Sequence, residues 1–191
     1  MILDSHIGIA FCGRMGSGKT TAANYLVNSV KQDLASRPFV VLSYADPLKL
    51  FAKVELGFDK RNAAALQAAG TVTRAIEPDR VLCIMRERLR VYSPANVVAI
   101  DDLRMRNEFI DAKLLGFYIV HIEASIEVRL ARIIARDGLT EAEAGAIIGG
   151  RTEQEIVHFA SYCDATIVND SDDRARFQNA IREALPGWVR E

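Results

Sequence analysis

The chain of 191 residues is 50% hydrophobic and 26% charged, with a formal net charge of -1 at pH 7. That is enough apolar material for one domain with a sizeable core, and it leaves no global field to hold the protein on nucleic acid or an anionic membrane. The three cysteines, Cys12, Cys83 and Cys163, make no C-x-x-C pair, so neither a disulfide framework nor a zinc site is indicated. With no apolar stretch near the ~18 residues of a membrane span, and no basic leader, a soluble, unprocessed cytoplasmic protein is expected.

In chain order, IGIAFC (7–12) is an apolar run that stops at Gly13, as a buried parallel strand should. A helix opens within GKTTAANYLVNSVKQDL, where Ala22, Ala23, Leu26, Val30 and Leu34 form an apolar stripe. FVVLSY (39–44) reads as a second strand ended by Asp46-Pro47, whose proline opens a second helix. Residues 60–92 are helical and rich in arginine, with a fresh start at Glu77-Pro78-Asp79 and Leu82, Met85 and Leu89 on one face. The strand VVAI (97–100) ends at Asp101-Asp102, and a helix around 106–115, a strand FYIVHI (117–122) and a helix from Ser125 to Arg136 follow. Residues 137–152 break the rhythm with Asp137-Gly138 and Gly149-Gly150 turns, and Thr140-x-x-Glu143 and Thr152-x-x-Glu155 read as two capping boxes. A strand ATIVN (165–169) and a helix at 172–184 close the pattern. Five short apolar strands alternating with helices predict an α/β fold, a five-stranded parallel sheet covered on both faces, in one domain spanning 1–191.

Between the first strand and first helix, Gly13-Arg14-Met15-Gly16-Ser17-Gly18-Lys19-Thr20 fits G-x-x-x-x-G-K-[ST], in the context a phosphate-binding P-loop requires. The glycines let amides converge on phosphate oxygens, and the helix adds its unpaired donors and positive dipole end. Gly13, Arg14, Gly16, Ser17, Gly18, Lys19, Thr20 and Thr21 are the expected ATP-binding residues. Lys19 is read as reaching the β- and γ-phosphates, and the Thr20 hydroxyl as a Mg²⁺ ligand. Asp101, at the end of an apolar strand, is the second expected metal ligand. No N-K-x-D sequence follows, which argues against guanine recognition.

Arg129, Arg132 and Arg136 recur on one helix before the turn-rich segment, which ends at Arg151. Phosphoryl transfer spreads negative charge over the moving group, and mobile arginines that close over it stabilise that charge and exclude water. A small lid is therefore expected over about 137–152, with Arg129 on ATP, Arg132 and Arg136 catalytic, and Arg151 on the substrate. The region 44–92 is expected to bind the acceptor through Asp46, Lys49 and Arg74, with Arg61, Arg80 and Arg86 as further candidates. Arg74 stands out because GTVTRAIEP reads as a break between two helical stretches. Phe51, Phe58 and Leu66 are read as core before they are read as a base-binding wall, and His121 as a core histidine.

The P-loop, then SYADPLK, AAGTVTRAIEPDR, VVAIDDLRMRNE and a late CDATIVND resemble the deoxynucleoside monophosphate kinases of bacteriophages and their bacterial relatives, over about residues 7–184. The resemblance implies a nucleoside monophosphate kinase-like P-loop NTPase fold, ATP and Mg²⁺ as cofactors, and Asp46, Arg74, Asp102 and Arg104 near an acceptor nucleotide. Arg104 enters, as a catalytic and substrate-binding residue, by that route alone. RLARIIARDGLTEAEAGAIIGGRTEQE with CDATIVND is also similar to the C-terminal part of dephospho-coenzyme A kinases, and DPLK and Asp102-x-Arg104 are similar to elements of animal phosphomevalonate kinases. Met15-Gly16 stands where the phage kinases can carry consecutive basic residues, which leaves the acceptor open.

The expected reaction is transfer of the ATP γ-phosphoryl to a deoxynucleoside monophosphate. An ATP-binding switch and a kinase acting on a base within DNA are the alternatives from other classes. The expected partner is a small-molecule nucleotide, with no nucleic acid, no membrane and room for a homodimer.

Overall fold

Continuous apolar runs become strands buried on both faces, because a parallel sheet is covered by helices above and below. The computed structural model describes residues 8–30, 39–55, 57, 63–92, 96–158 and 160–187, with backbone alone at 29, 30, 63–65, 67, 151, 152 and 157. Its strands are β1 (Gly8–Cys12), β2 (Phe39–Leu42), β3 (Val97–Leu103), β4 (Tyr118–Glu123) and β5 (Ala165–Val168). They form one parallel sheet in the order β2-β3-β1-β4-β5. β1 is thus central, with Ile9 level with Ala99 on one side and Tyr118 on the other.

Helices α1 (Lys19–Tyr25), continued as a π-helical turn Leu26–Val30, and α9 (Arg174–Ala184) cover one face. There Ile9 and Phe11 meet Ala22, Ala23, Leu26, Phe177 and Ile181. On the other face Ala10 and Cys12 meet Val81, Leu82, Met85 and Leu89 of α4 (Arg80–Tyr92) and Phe109 and Ala112 of α5 (Arg106–Leu114). Full burial of a side chain such as Met85 or Leu89 contributes about 1.5–3 kcal/mol. Helices α2 (Asp46–Val54) and α3 (Ala63–Ile76) lie beyond β2, and α6 (Ile126–Asp137), α7 (Glu141–Ile148) and α8 (Arg151–Glu155) follow β4. Among the described residues no helix is long and apolar enough to cross a membrane.

Three local readings are corrected. β3 runs through Asp101 and Asp102 to Leu103 instead of stopping at Ile100, because alternation buries Asp101 and Leu103 while Asp102 turns to the neighbouring turn. GTVTRAI is not a break: it completes α3, and Gly70 is tolerated mid-helix since an added Cβ would lie 3.3 Å from Leu48 Cδ1 of α2 and 2.8 Å from a guanidinium nitrogen of Arg74. The Thr140/Glu143 capping box forms as read, but α8 starts at Arg151 with Gly150 at its cap, which puts Thr152 inside the first turn and not before it.

Candidate active site

The phosphate loop leaves β1 at Gly13 and enters α1 at Lys19, at the carboxyl end of the central strand, where ligands of parallel sheets bind. Its backbone is possible only for glycine at three points, the first being Gly13 at φ +148°. Gly16 has φ +82° with Arg129 carbonyl oxygen 2.8 Å from an added Cβ, and Gly18 has φ +109° with Asn169 Nδ2 at 2.6 Å. Asn169, just past β5, donates to Ser17 carbonyl at 2.7 Å, so the loop after the edge strand braces the loop after the central one.

Lys19 is only 4% exposed and folds back, its Nζ donating to the carbonyls of Gly13 (2.5 Å) and Arg14 (2.8 Å). Burial, and then the Arg104 guanidinium, push its ammonium down to about 7. The lysine is held by neutral acceptors only, ready to exchange them for an anion. A cleft of about 480 Å³ opens beside it, lined by the loop, by Thr20 and Thr21, by Arg104, Arg132 and Arg136, and by the post-β5 segment with Arg174.

The three helix arginines divide. Arg132 lines the cleft, donating to the Asn169 carbonyl at 3.0 Å and the Ser171 carbonyl at 2.9 Å. Arg136 also lines it, but is engaged by Asp137 at 2.6 Å. Arg129, expected on ATP, is instead 1% exposed beneath the loop, paired with Glu153 at 3.2 Å, and is no part of the cleft wall. Arg151 opens α8, and its side chain lies outside the described residues, as do Arg61 and Phe58.

Glu153 is the residue that sequence reasoning missed. Its carboxylate is 2% exposed, accepts the Met15 amide with both oxygens (2.8 and 3.0 Å), pairs with Arg129 and stands 3.9 Å from Arg104. The Met15 side chain packs with Ile133 of α6 and Ala144 of α7, so the loop's tip is tied to the α6–α8 segment twice, by charge and by packing. In the sequence Glu153 reads as one more acid in a helix's first turn, and nothing marks its partner far upstream. Asn169 and residues 171–174 carried a usable signal, their position at the carboxyl end of a strand.

Around β3, α2 and α3, where the acceptor residues are expected, the carboxylates hold the structure together. Asp101 accepts a hydrogen bond from the Ser43 hydroxyl, and Asp102 accepts the amides of Tyr44 (2.7 Å) and Ala45 (2.8 Å), pinning the turn that opens α2. Burial, and then the Asp101 carboxylate, push Asp102 up to about 7. Asp46 pairs with Lys49 (3.1 Å) and Arg88 (3.0 Å); burial works against its ionisation, but the two cations outweigh it and hold its carboxyl below the ordinary value. Arg74 is paired with buried Glu108 at 2.9 Å. Arg80 pairs with Glu77 on the surface, and Arg86 reaches buried Asp111 instead of the cleft. His121 is buried in β4, and burial lowers its pKa, as befits a core histidine.

Thr20 offers a hydroxyl at the cleft, whereas Asp101 and Asp102, on the strand beside β1, are not part of the cleft wall and would have to share carboxylates that already accept from Ser43, Tyr44 and Ala45. Hard oxygen donors, few in number, are what Mg²⁺ takes when it keeps its waters and a ligand's phosphates, so the donor set fits that ion.

The family model described as an AAA domain matches residues 9–157. Among solved structures, TT1252 from Thermus thermophilus is 21% identical over 96% of this chain and 100% of its own, with a TM-score of 0.59. The shikimate kinase from Bacteroides thetaiotaomicron is 17% identical over 93% and 95%, with a TM-score of 0.55. At these identities the likeness is one of fold, a parallel α/β sheet of five strands. No curated protein matches the chain.

Proposed function

The chain belongs to the AAA-domain family, and from that premise we propose that it is a small-molecule kinase which moves the γ-phosphoryl of ATP to the 5′-phosphate of a deoxynucleoside monophosphate. One observation carries the reading: cations from three separate elements, Lys19 of the loop, Arg104 after β3 and Arg132 of α6, converge on one open cleft. A switch needs only to hold ATP, whereas a transferring phosphoryl group needs charge on several sides.

In this reading the phosphate loop binds the donor, with Gly13, Arg14, Gly16, Ser17, Gly18, Thr20 and Thr21 around its phosphates. Lys19 leaves its carbonyls for the β- and γ-phosphates. Thr20 and Asp101 would hold Mg²⁺, which shields phosphate charge when bound. Arg132 and Arg136 neutralise the moving group, and lid closure excludes water. The acceptor phosphate is an anionic nucleophile near neutral pH, so no general base is required, and catalysis is positioning plus charge neutralisation. Asp46, Lys49, Arg74, Asp102 and Arg104 surround that acceptor, and Arg151, whose side chain lies outside the described residues, is assigned to it from the sequence.

The test is ADP release from ATP–Mg²⁺ against deoxy- and ribonucleoside monophosphates, with dephospho-coenzyme A, phosphomevalonate and shikimate in separate wells. Strong stimulation by one or more deoxynucleotides is expected. A response confined to another acid phosphate or to shikimate would overturn the acceptor class, and ATP binding without turnover in any well would overturn the kinase.

A further inference from the structure

Two thiols far apart in sequence meet directly below the phosphate loop. Cys12, the last residue of β1, precedes Gly13, and its Sγ lies 3.5 Å from Sγ of Cys163, which precedes β5. The second sulfur is held in place from its neighbour: the Asp164 amide donates to Ile119 carbonyl at 2.8 Å, and the Asp164 carboxylate accepts from the Ile119 amide (2.7 Å) and Lys113 Nζ (2.8 Å). Cys12 is completely buried, whereas Cys163 is half-buried. We propose that Cys12 and Cys163 are a reversible oxidation site, whose closure to a disulfide pulls on the phosphate loop and lowers its affinity for nucleotide.

The chemistry assigns the order of events. Only Cys163 is within reach of a small oxidant, and the hydrogen bond with Cys12 favours its thiolate while the same bond and burial keep Cys12 a thiol. The Cys163 thiolate attacks a peroxide oxygen, the O–O bond breaks, and with one proton water leaves and a sulfenic acid remains. Cys12 sulfur then attacks Cys163 sulfur; the S–S bond forms as the S–O bond breaks, and the Cys12 proton leaves with the hydroxyl as a second water. In sum two thiols are oxidised and one peroxide is reduced to two waters, and a small dithiol reverses the step by exchange.

A disulfide requires a separation of about 2.05 Å, so the sulfurs must close by about 1.5 Å. The residue next to Cys12 has close neighbours and is coupled to Lys19. Gly13 is wedged so closely against β4 that an added Cβ would lie 2.3 Å from the Ile122 carbonyl oxygen and 2.9 Å from Ser17 Oγ, and its own carbonyl holds Lys19 Nζ. The displacement is therefore passed to Gly13 and Lys19.

The experiment uses the full chain with Cys83→Ser, which removes the exposed thiol of α4. The protein is titrated with hydrogen peroxide, its linkages are mapped by peptide mass, and ATP binding is measured before and after. Expected are an intramolecular link joining Cys12 and Cys163, a fall in ATP affinity of about tenfold or more, reversal of both by dithiothreitol, and neither in Cys163→Ser or Cys163→Ala. Oxidation of Cys163 without a link, links only between chains, or a link that leaves ATP affinity unchanged would overturn the proposal. The linkage map reads without any nucleotide, so failure of ATP to bind the reduced protein counts against the proposed function and not against the thiol pair.

Discussion

The two sides of the site hold their cations in different ways. Beside the phosphate loop, Lys19 rests on the carbonyls of Gly13 and Arg14 and Arg132 on those of Asn169 and Ser171. Around α2 and α3 the cations rest on carboxylates: Arg74 on Glu108, and Lys49 and Arg88 on Asp46. A phosphate displaces a carbonyl from a cation readily, since it offers a full charge for a dipole, but it displaces a carboxylate only by exchanging one anion for another. On the proposed function the loop is the donor side and is thus poised, while the α2–α3 region is the acceptor side and must be unlocked as its ligand enters. Arg136, held by Asp137 at 2.6 Å, is the clear exception beside the loop, while the carboxylates near Arg132 (Asp172, 3.8 Å) and Arg104 (Glu153, 3.9 Å) stand at the outer edge of ion-pair distance.

That contrast can be broken most sharply at Lys19. Lys19→Ala should lower kcat by about 10²–10³-fold with thermal unfolding little changed, because a desolvated ammonium is lost; a comparable loss of Tm would show that the lysine braces the fold instead. Glu153→Ala comes next, as it strands a buried Arg129 and frees the Met15 amide. A loss of about 3–5 kcal/mol, read as a Tm lower by roughly 10 °C, is expected, and an unchanged Tm would mean that the donor side needs no carboxylate strut.

Arg74→Ala addresses the locked side alone. It should raise the acceptor's KM by about tenfold while the ATP dissociation constant stays within about twofold; equal effects on both ligands would erase the distinction between the sides. The smallest effect is one of pH. Lys19 has a folded-state pKa lowered to about 7, so above that pH it must take up a proton to meet a polyanion. Metal-free ATP affinity should therefore fall as pH rises, by about fivefold between pH 7 and 8, and titration calorimetry in buffers of differing ionisation heat should report proton uptake. Binding that strengthens across that range would sink the assignment.

The strand–loop–helix frame of the phosphate loop was legible in the sequence for a physical reason. A loop that offers amides to a phosphate needs glycines at fixed spacing, a lysine and a helix start, all within eight residues, and strand and helix periodicity frame them. The acceptor side was less so. Arg74 reads as part of a turn because Gly70 and Pro78 flank it, yet close packing on Leu48 makes the glycine helical. Asp102 reads as a ligand by position, while its oxygens hold the backbone of Tyr44 and Ala45. Arg129, Arg132 and Arg136 share one helix face, but burial of Arg129 on Glu153 depends on a contact with α8 that no local pattern encodes.

The central place of β1 also governs how the protein comes into being. The strand that carries the phosphate loop has no hydrogen-bonded neighbour until residues 97–103 and 118–123 exist, so contacts of long range must form before the loop has a floor. On a ribosome, where N-terminal segments emerge first, the earliest residues of the nucleotide site would wait longest for their structure, and a nascent chain stalled before residue 97 would have no means of retaining ATP.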